Sequence, residues 1–342
     1  MVFPDIIPAI ALTEKGGFEV IKRVDIPFPK PSPAQILVKV NYVGINFIDN
    51  YFRSGLYPVP QWPYILGEES SGTIVSLPTD TAVLNDPDYQ QRKFAVGQRV
   101  AIKERAQLAE YSVAHWKNVI PVPNTVSLLV AAATPAQAYT ALTFVEEAYN
   151  IRPGDVVFIH TVAGGLGLNL AQIAKLRGAT VIGTTSTPEK AKLAKDNGAD
   201  HVILYKEEDV VKRVLEITNG EGVHATFDGV GKDGVEIDFQ IIRRKGTIIL
   251  VGNASGPVPP IAPLRLAQKN IKLLRPIVDN YLTTPSEYFY YGQKLNDLLS
   301  QGKLKVQITT VSFTEEAVRQ AEMDLTGGKT AGKLIVKVRE EE

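Results

Sequence analysis

The chain has 342 residues, 44% of them apolar and 22% charged, with 37 basic residues balancing 37 acidic ones and no cysteine. That length exceeds what one core usually spans, so about two domains of ordinary globular composition are expected. Balanced charge excludes a general electrostatic pull toward nucleic acid or an anionic membrane, and the missing cysteines exclude disulfides, a thiol nucleophile and any thiolate zinc site.

From the start, Met1-Val2-Phe3-Pro4-Asp5 lacks the basic and apolar pattern of a signal peptide, and no apolar run approaches the ~20 residues of a membrane span. A cytoplasmic chain is expected. Residues 1 to about 125 read as β-rich. The apolar run 36–40 follows a proline-rich 27–33, and 72–75 and 96–102 are further strands with turn residues between them. Residues 77–93 are polar, with two prolines and three aspartates, and read as a surface insertion. Runs 110–113 and 119–122 close this region, which suggests a small barrel or sandwich.

From Ser127 the period changes to helical over 128–142, with Pro135 interrupting. The stretch Asp155-Val156-Val157-Phe158-Ile159 then runs into Val162-Ala163-Gly164-Gly165-Leu166-Gly167, and Leu168, Leu170, Ala171, Ile173 and Ala174 continue at helical spacing to Gly178. Strand, glycine turn and helix together form a dinucleotide site, in which small residues let the backbone approach a pyrophosphate and the helix start attracts its charge. Against G-x-G-x-x-G, Val162 stands in the first glycine position, with Gly164 and Gly167 in the others.

Strand and helix continue to alternate. Strands are expected at 180–184, 201–204, 225–228 and 247–251, with helices from Thr187-Pro188 to about 198, over 210–217 and around 234–242. This pattern predicts an α/β fold with a doubly wound parallel sheet, whose ligand-binding strand ends include Thr161, Thr185, Tyr205, Gly229 and Gly252. A helix over 285–301, a strand over 305–309, a helix from Thr314 and a closing strand over 334–338 complete the chain. The last strand most simply rejoins the N-terminal β-domain. The expected division is 1–126, 127–276 and 277–342, a nucleotide domain set within a discontinuous second domain, with a cleft between them.

An NAD-preferring fold places an acid about 20 residues past the glycine turn. Here that region reads Gly183-Thr184-Thr185-Ser186-Thr187, with no acid before Glu189. Ser186 and Thr187 offer hydroxyls and Lys190 an ammonium, which attract a 2′-phosphate that a carboxylate would repel. The favoured cofactor is NADPH.

The block Gly44-Ile45-Asn46-Phe47-Ile48-Asp49-Asn50-Tyr51-Phe52-Arg53-Ser54-Gly55-Leu56-Tyr57-Pro58 resembles that of the zeta-crystallin-like NADPH:quinone oxidoreductases, zinc-free members of the medium-chain dehydrogenase/reductase superfamily. The likeness extends through Leu66-Gly67-Glu68-Glu69-Ser70-Ser71-Gly72, the glycine turn, Tyr205-Lys206-Glu207-Glu208-Asp209, Asp228-Gly229-Val230-Gly231, Gly252-Asn253-Ala254-Ser255-Gly256 and Arg275-Pro276, with fungal members closest. The resemblance implies a GroES-like β-barrel domain joined to a Rossmann domain in a homodimer. Zinc-dependent relatives carry a cysteine ligand and Gly-His-Glu where this chain has Gly67-Glu68-Glu69, so no metal is expected. His115, His160, His201 and His224 show no ligand spacing and read as structural or surface residues.

By the same resemblance, Asn46 and Tyr51 face the nicotinamide end and Thr140 contacts the nicotinamide. Gly164, Gly165 and Leu166 cradle the pyrophosphate, Ser186, Lys190 and Tyr205 hold the adenosine phosphate, and Asn253 and Arg275 complete the nicotinamide side. Three positions depart from the family pattern: Gly229 replaces a serine, Val251 a phenylalanine, and Gly328 an arginine whose charge Lys329 or Lys333 would supply. The expected reaction moves hydride or electrons from NADPH to an ortho-quinone, with the Tyr51 hydroxyl or the Asn46 amide as donor to the developing oxyanion. The alternatives are reduction of the double bond of 2-alkenals or enones and, from another class, the NADPH-sensitive AU-rich RNA binding or stress role of some relatives. Nucleic acid is not expected as the primary partner.

Overall fold

The computed structural model describes residues 3 to 341, and the elements below are those among them. By its contacts the chain forms two compact units, Met1–Ala136 with Leu282–Gly302 and Val306–Glu342, and Gln137–Tyr281 with Lys303–Lys305.

The first unit is built on antiparallel strands. β1 (Ile6–Leu12) pairs with β2 (Ile21–Pro27) along its whole length. The long β3 (Gln35–Ile45) leads into helix α1 (Phe47–Ser54), and β4 (Tyr64–Ile65) joins β1. β5 (Glu69–Ser76), β6 (Arg99–Lys103), β7 (Tyr111–His115) and β8 (Val119–Pro121) complete the N-terminal part. Ile10, Val43, Phe52, Leu66, Leu108 and Val336 are buried together in one core.

Residues 77–93, expected as a surface insertion, are instead packed into this unit. They form the short helices α2 (Thr81–Leu84) and α3 (Pro87–Gln90), each started by an aspartate whose side chain accepts a backbone N–H. Val83, Tyr89 and Arg92 are buried, and the Arg92 guanidinium donates to the carbonyls of Trp116, Lys117, Val119 and Pro285. Two apolar residues and one arginine thus anchor a segment whose polar composition suggested solvent.

Proline splits the next helical stretch into α4 (Leu128–Ala132), capped by Ser127, and α5 (Pro135–Thr143). α4 stays with the first unit, where the Leu128 carbonyl accepts from the Ser71 hydroxyl at 2.6 Å.

The second unit has a six-stranded parallel sheet in the order β11-β10-β9-β12-β13-β14. Its strands are β9 (Val156–Ile159), β10 (Thr180–Thr185), β11 (His201–Leu204), β12 (Val223–Asp228), β13 (Ile242–Leu250) and β14 (Lys272–Leu274). Between them run α6 (Gly165–Leu176), α7 (Pro188–Asp196), α8 (Val210–Ile217), α9 (Val235–Ile241) and the short α10 (Leu264–Ala267). The order reverses between β9 and β12, and an open parallel sheet binds its ligand at such a reversal.

The chain then returns to the first unit. α11 (Pro285–Ser300) begins at a capping box of Thr284 and Glu287, and α12 (Glu315–Thr326) is capped by Thr314. β15 (Ile308–Ser312) starts three residues later than the expected 305, because Gln172 holds both the N–H and the carbonyl of Lys305 in the second unit. β16 (Lys333–Lys337) pairs parallel to β15 and antiparallel to β3, so the closing strand does rejoin the N-terminal sheet. No helix among the described residues is long and apolar enough to cross a membrane.

Candidate functional site

The glycine turn follows β9 at the reversal of the sheet. Thr161, a β-branched residue, sits at φ 53°, in the left-handed region that such side chains rarely adopt. Strain of this kind costs about 1–3 kcal/mol and gathers at ligand clamps. Gly164 caps α6, whose first turn carries no acid and so leaves its N–H groups to an anion.

The residue out of pattern has a structural explanation. Val162 is fully buried, and its side chain fills the space over Gly183 in β10, where a Cβ would come within 2.5 Å of the Val162 Cβ. The glycine missing from the turn is therefore supplied on the neighbouring strand. Gly167 is needed where it stands, since a Cβ there would lie 2.5 Å from the Thr161 carbonyl oxygen, and Gly165 leaves room for the Gln137 side chain.

Next along the row of strand ends are Ser186, Lys190 and Tyr205. The Tyr205 N–H donates to the Thr185 carbonyl at 3.2 Å, which brings the ends of β10 and β11 together beside Ser186. Thr187 spends its hydroxyl oxygen capping α7 through the Lys190 N–H. Lys190 is half-buried, and burial together with repulsion from Lys206 lowers its pKa below the ordinary lysine value. Two mutually repelling lysines thus stand near the ends of β10 and β11, and an anion placed between them would relieve that repulsion. Lys206 is an addition to the residues singled out from sequence.

Past β12 and β13, the chain closes tightly. Ala254 N–H donates to the Gly229 carbonyl at 3.1 Å, and a Cβ on Gly252 would lie 2.8 Å from that same oxygen. Arg275 donates to the carbonyls of Leu250 and Val251 at 3.2 Å each, so it is brought to the loop that carries Asn253. Thr140 lies half-buried on α5.

Behind the turn, His160 is buried and its Nε2 lies 3.0 Å from Asp238 Oδ1, while Asp228 Oδ1 accepts the N–H groups of Val230 and Gly231 at 2.7 and 3.0 Å. Burial opposes charge on His160, yet Asp238 and Asp228 outweigh it and raise its pKa. Burial pushes Asp228 up to about 6, with His160 pulling it back. The separation of these residues along the chain hid this group from sequence reasoning. Among the described residues they are the one trio of metal-type donors that converge. Their hydrogen bonds within the trio and to the backbone make them a support for the strand ends.

In the first unit, Asn46 opens α1, and its own N–H donates to Asp49 at 2.9 Å. Its side-chain amide is held at both ends. Oδ1 accepts from Lys333 Nζ at 2.7 Å and Nδ2 donates to Glu69 Oε1 at 2.9 Å. Lys333 itself is 1% exposed and ion-paired with Glu69. Its expected place as a cofactor-binding charge is therefore corrected: the three donors of its ammonium go to Ile45, Asn46 and Glu69, all inside the first unit. Lys329, the other candidate for that charge, is exposed and lies 3.5 Å from Asp324. Tyr51, one turn into α1, is half-buried with its ring edge-on to Phe47 and Tyr57 at 5.5 and 5.1 Å.

Known proteins resemble this chain in sequence and fold. Residues 32–124 match the family described as alcohol dehydrogenase GroES-like domain, and residues 165–291 the family described as zinc-binding dehydrogenase. The two matches define the class, a medium-chain dehydrogenase/reductase. A quinone oxidoreductase of Pseudomonas aeruginosa is 34% identical over 94% of this chain and 96% of its own length, and a probable quinone oxidoreductase of Schizosaccharomyces pombe is 33% identical over 97% of each. The crystal structure of Escherichia coli quinone oxidoreductase complexed with NADPH superimposes with a TM-score of 0.89 at 31% identity, covering 97% of this chain and all of that one. The chain belongs to the quinone oxidoreductase family, the zinc-free branch of that superfamily. Bacterial and fungal relatives match it alike, so the identities do not single out a fungal kinship. Zinc does not fit the residues present, since the chain has no thiolate and carries Glu68 where a histidine ligand would stand.

Proposed function

We propose that this protein is an NADPH:quinone oxidoreductase that reduces quinones, ortho-quinones among them, without a metal. The observation that carries the reading is the Ser186, Lys190 and Lys206 group after the ends of β10 and β11, where the two lysines repel each other. It fits the 2′-phosphate that distinguishes NADPH from NADH. Bound there, NADPH supplies the hydride. A quinone accepts hydride without Lewis-acid help, so the protein has only to hold the reactants in register and stabilise the quinol oxyanion as it forms.

In this reading Gly164, Gly165 and Leu166 hold the pyrophosphate, Ser186, Lys190 and Tyr205 the adenosine phosphate, and Thr140, Asn253 and Arg275 the nicotinamide end. Tyr51 is the proton donor we favour, with the Asn46 amide, held between Lys333 and Glu69, facing the nicotinamide end alongside it. We further place the enzyme in the cytoplasm as a homodimer. In support, β14 is an edge strand of the parallel sheet among the described residues, and Leu264 and Ile277, which flank it in sequence, are 81% and 53% exposed. AU-rich RNA stays outside this reading, in keeping with the balanced charge.

The test is steady-state oxidation of NADPH and NADH against a panel of ortho-quinones and 2-alkenals. Quinone turnover with NADPH well above NADH is expected; turnover of alkenals alone overturns the assignment.

A further inference from the structure

Lys333, Glu69 and Asn46 close a triangle in the interior of the first unit, with 1%, 0% and 7% exposure. Lys333 Nζ donates to the Ile45 carbonyl at 3.0 Å, to Asn46 Oδ1 at 2.7 Å and to Glu69 Oε1. That same carboxylate oxygen accepts from Asn46 Nδ2 at 2.9 Å, and Glu69 Oε2 accepts the Ala136 N–H at 2.6 Å. Room for the carboxylate comes from Gly44, where a Cβ would lie 2.5 Å from Glu69 Oε1.

We propose that Lys333 is a positioning residue for Asn46, acting with Glu69 as a clamp of opposite charges on the two ends of one amide. The proposal rests on the quinone-reductase reading. A flipped amide would set its oxygen against a carboxylate and its NH2 against an ammonium, so the clamp admits one orientation. The direction of the second Asn46 N–H is thereby fixed relative to α1 and to Tyr51 on it. Stability alone does not account for the arrangement, because a buried ion pair is often no more stable than well-packed apolar residues of the same volume. Neutralising Lys333 by itself would strand a buried carboxylate, so the informative change removes both charges at once.

The experiment uses the full-length K333M/E69Q variant, compared with wild type for quinone kcat and KM, NADPH Kd by fluorescence titration, and thermal unfolding. Loss of register at the reacting atoms costs up to about a hundredfold. A kcat lowered at least about tenfold with NADPH Kd within about twofold of wild type is the expected result. An unchanged kcat with only a shifted Tm would make the triangle purely structural. A raised NADPH Kd at unchanged kcat would return Lys333 to the cofactor. Either result overturns the proposal.

A second measurement does not depend on turnover or on the variant folding. In asparagine-labelled wild type, the Asn46 side-chain amide, assigned by its loss in Asn46→Asp, should give one sharp, slowly exchanging pair of NH2 signals. Averaged or rapidly exchanging signals refute the clamp. Should wild type reduce no quinone, the functional reading fails while this spectrum still decides the clamp.

Discussion

The side chain of Val162 occupies the space that the absent side chain of Gly183 leaves open on the adjacent strand, the two Cβ positions being 2.5 Å apart. The glycine turn and β10 are therefore a matched pair, further joined by the Val162 N–H donating to the Thr184 carbonyl at 3.0 Å. Gly183→Ala should overpack this contact and cost about 1–3 kcal/mol of stability. It should also raise the NADPH Kd by displacing the turn. Adding Val162→Gly should recover most of both losses, as urea unfolding and fluorescence titration would show. Equal behaviour of the single and double variants would break the pairing.

Lys190 and Lys206 repel each other where the 2′-phosphate is proposed to bind. Hydrogen bonds to a charged group are worth about 1.5–3 kcal/mol, so Lys190→Ala should weaken NADPH about ten- to hundredfold. NADH, which lacks the phosphate, should bind the variant as it binds wild type. A parallel loss for both cofactors would place Lys190 elsewhere.

Gly229 stands where the family resemblance leads one to expect a serine, and space does not require a glycine there. A Cβ there meets only Thr161 Oγ1, at an ordinary 3.7 Å. Gly229→Ser should fold with its stability within about 0.5 kcal/mol of wild type and bind NADPH a few-fold more tightly through the added hydroxyl. A clear fall in Tm would reveal a constraint that the static geometry does not contain.

Asp49, in the first turn of α1, is buried, and burial pushes its pKa from an ordinary 3.8 up to about 7, with the Asn46 N–H opposing. Burial also raises Glu322, which accepts from Asn50 Nδ2 at 2.5 Å. A raised carboxyl means that the native state binds more protons than the unfolded chain between about pH 4 and pH 7. Unfolding free energy from this source therefore falls as pH rises through that window. Asp49→Asn should flatten the decline, so that the gap between variant and wild type in urea unfolding narrows from pH 5 to pH 8. A gap that widens with pH would reverse the sign and the argument.

Much of the second unit, and of the C-terminal return to the first, was legible in advance because its signals are local. Thr187 and Pro188 do begin α7, Thr314 does begin α12, and the run 201–204 is β11 to the residue. Caps, periodicity and glycine turns depend on residues a few positions apart. The segment 77–93 was misread because its three anchoring residues are diluted by polar ones, although Asp80 and Asp86 before short runs were the available cap signals.

By itself the sequence determined the alternation that makes a parallel sheet, the glycine turn between a strand and a helix, the missing acid beside Ser186 and the absence of any thiolate for zinc. These are matters of residue type and short spacing. Only the tertiary structure decided that Val162 is answered by Gly183, that His160 meets Asp238, and that Lys333 turns inward to Glu69 and Asn46. Lys333 and Glu69 are 264 positions apart, and a pairing across that distance is set by the register of β16 against β3 and of β3 against β5. No local pattern encodes that register, and it is what converts an expected cofactor lysine into a buried partner of Asn46.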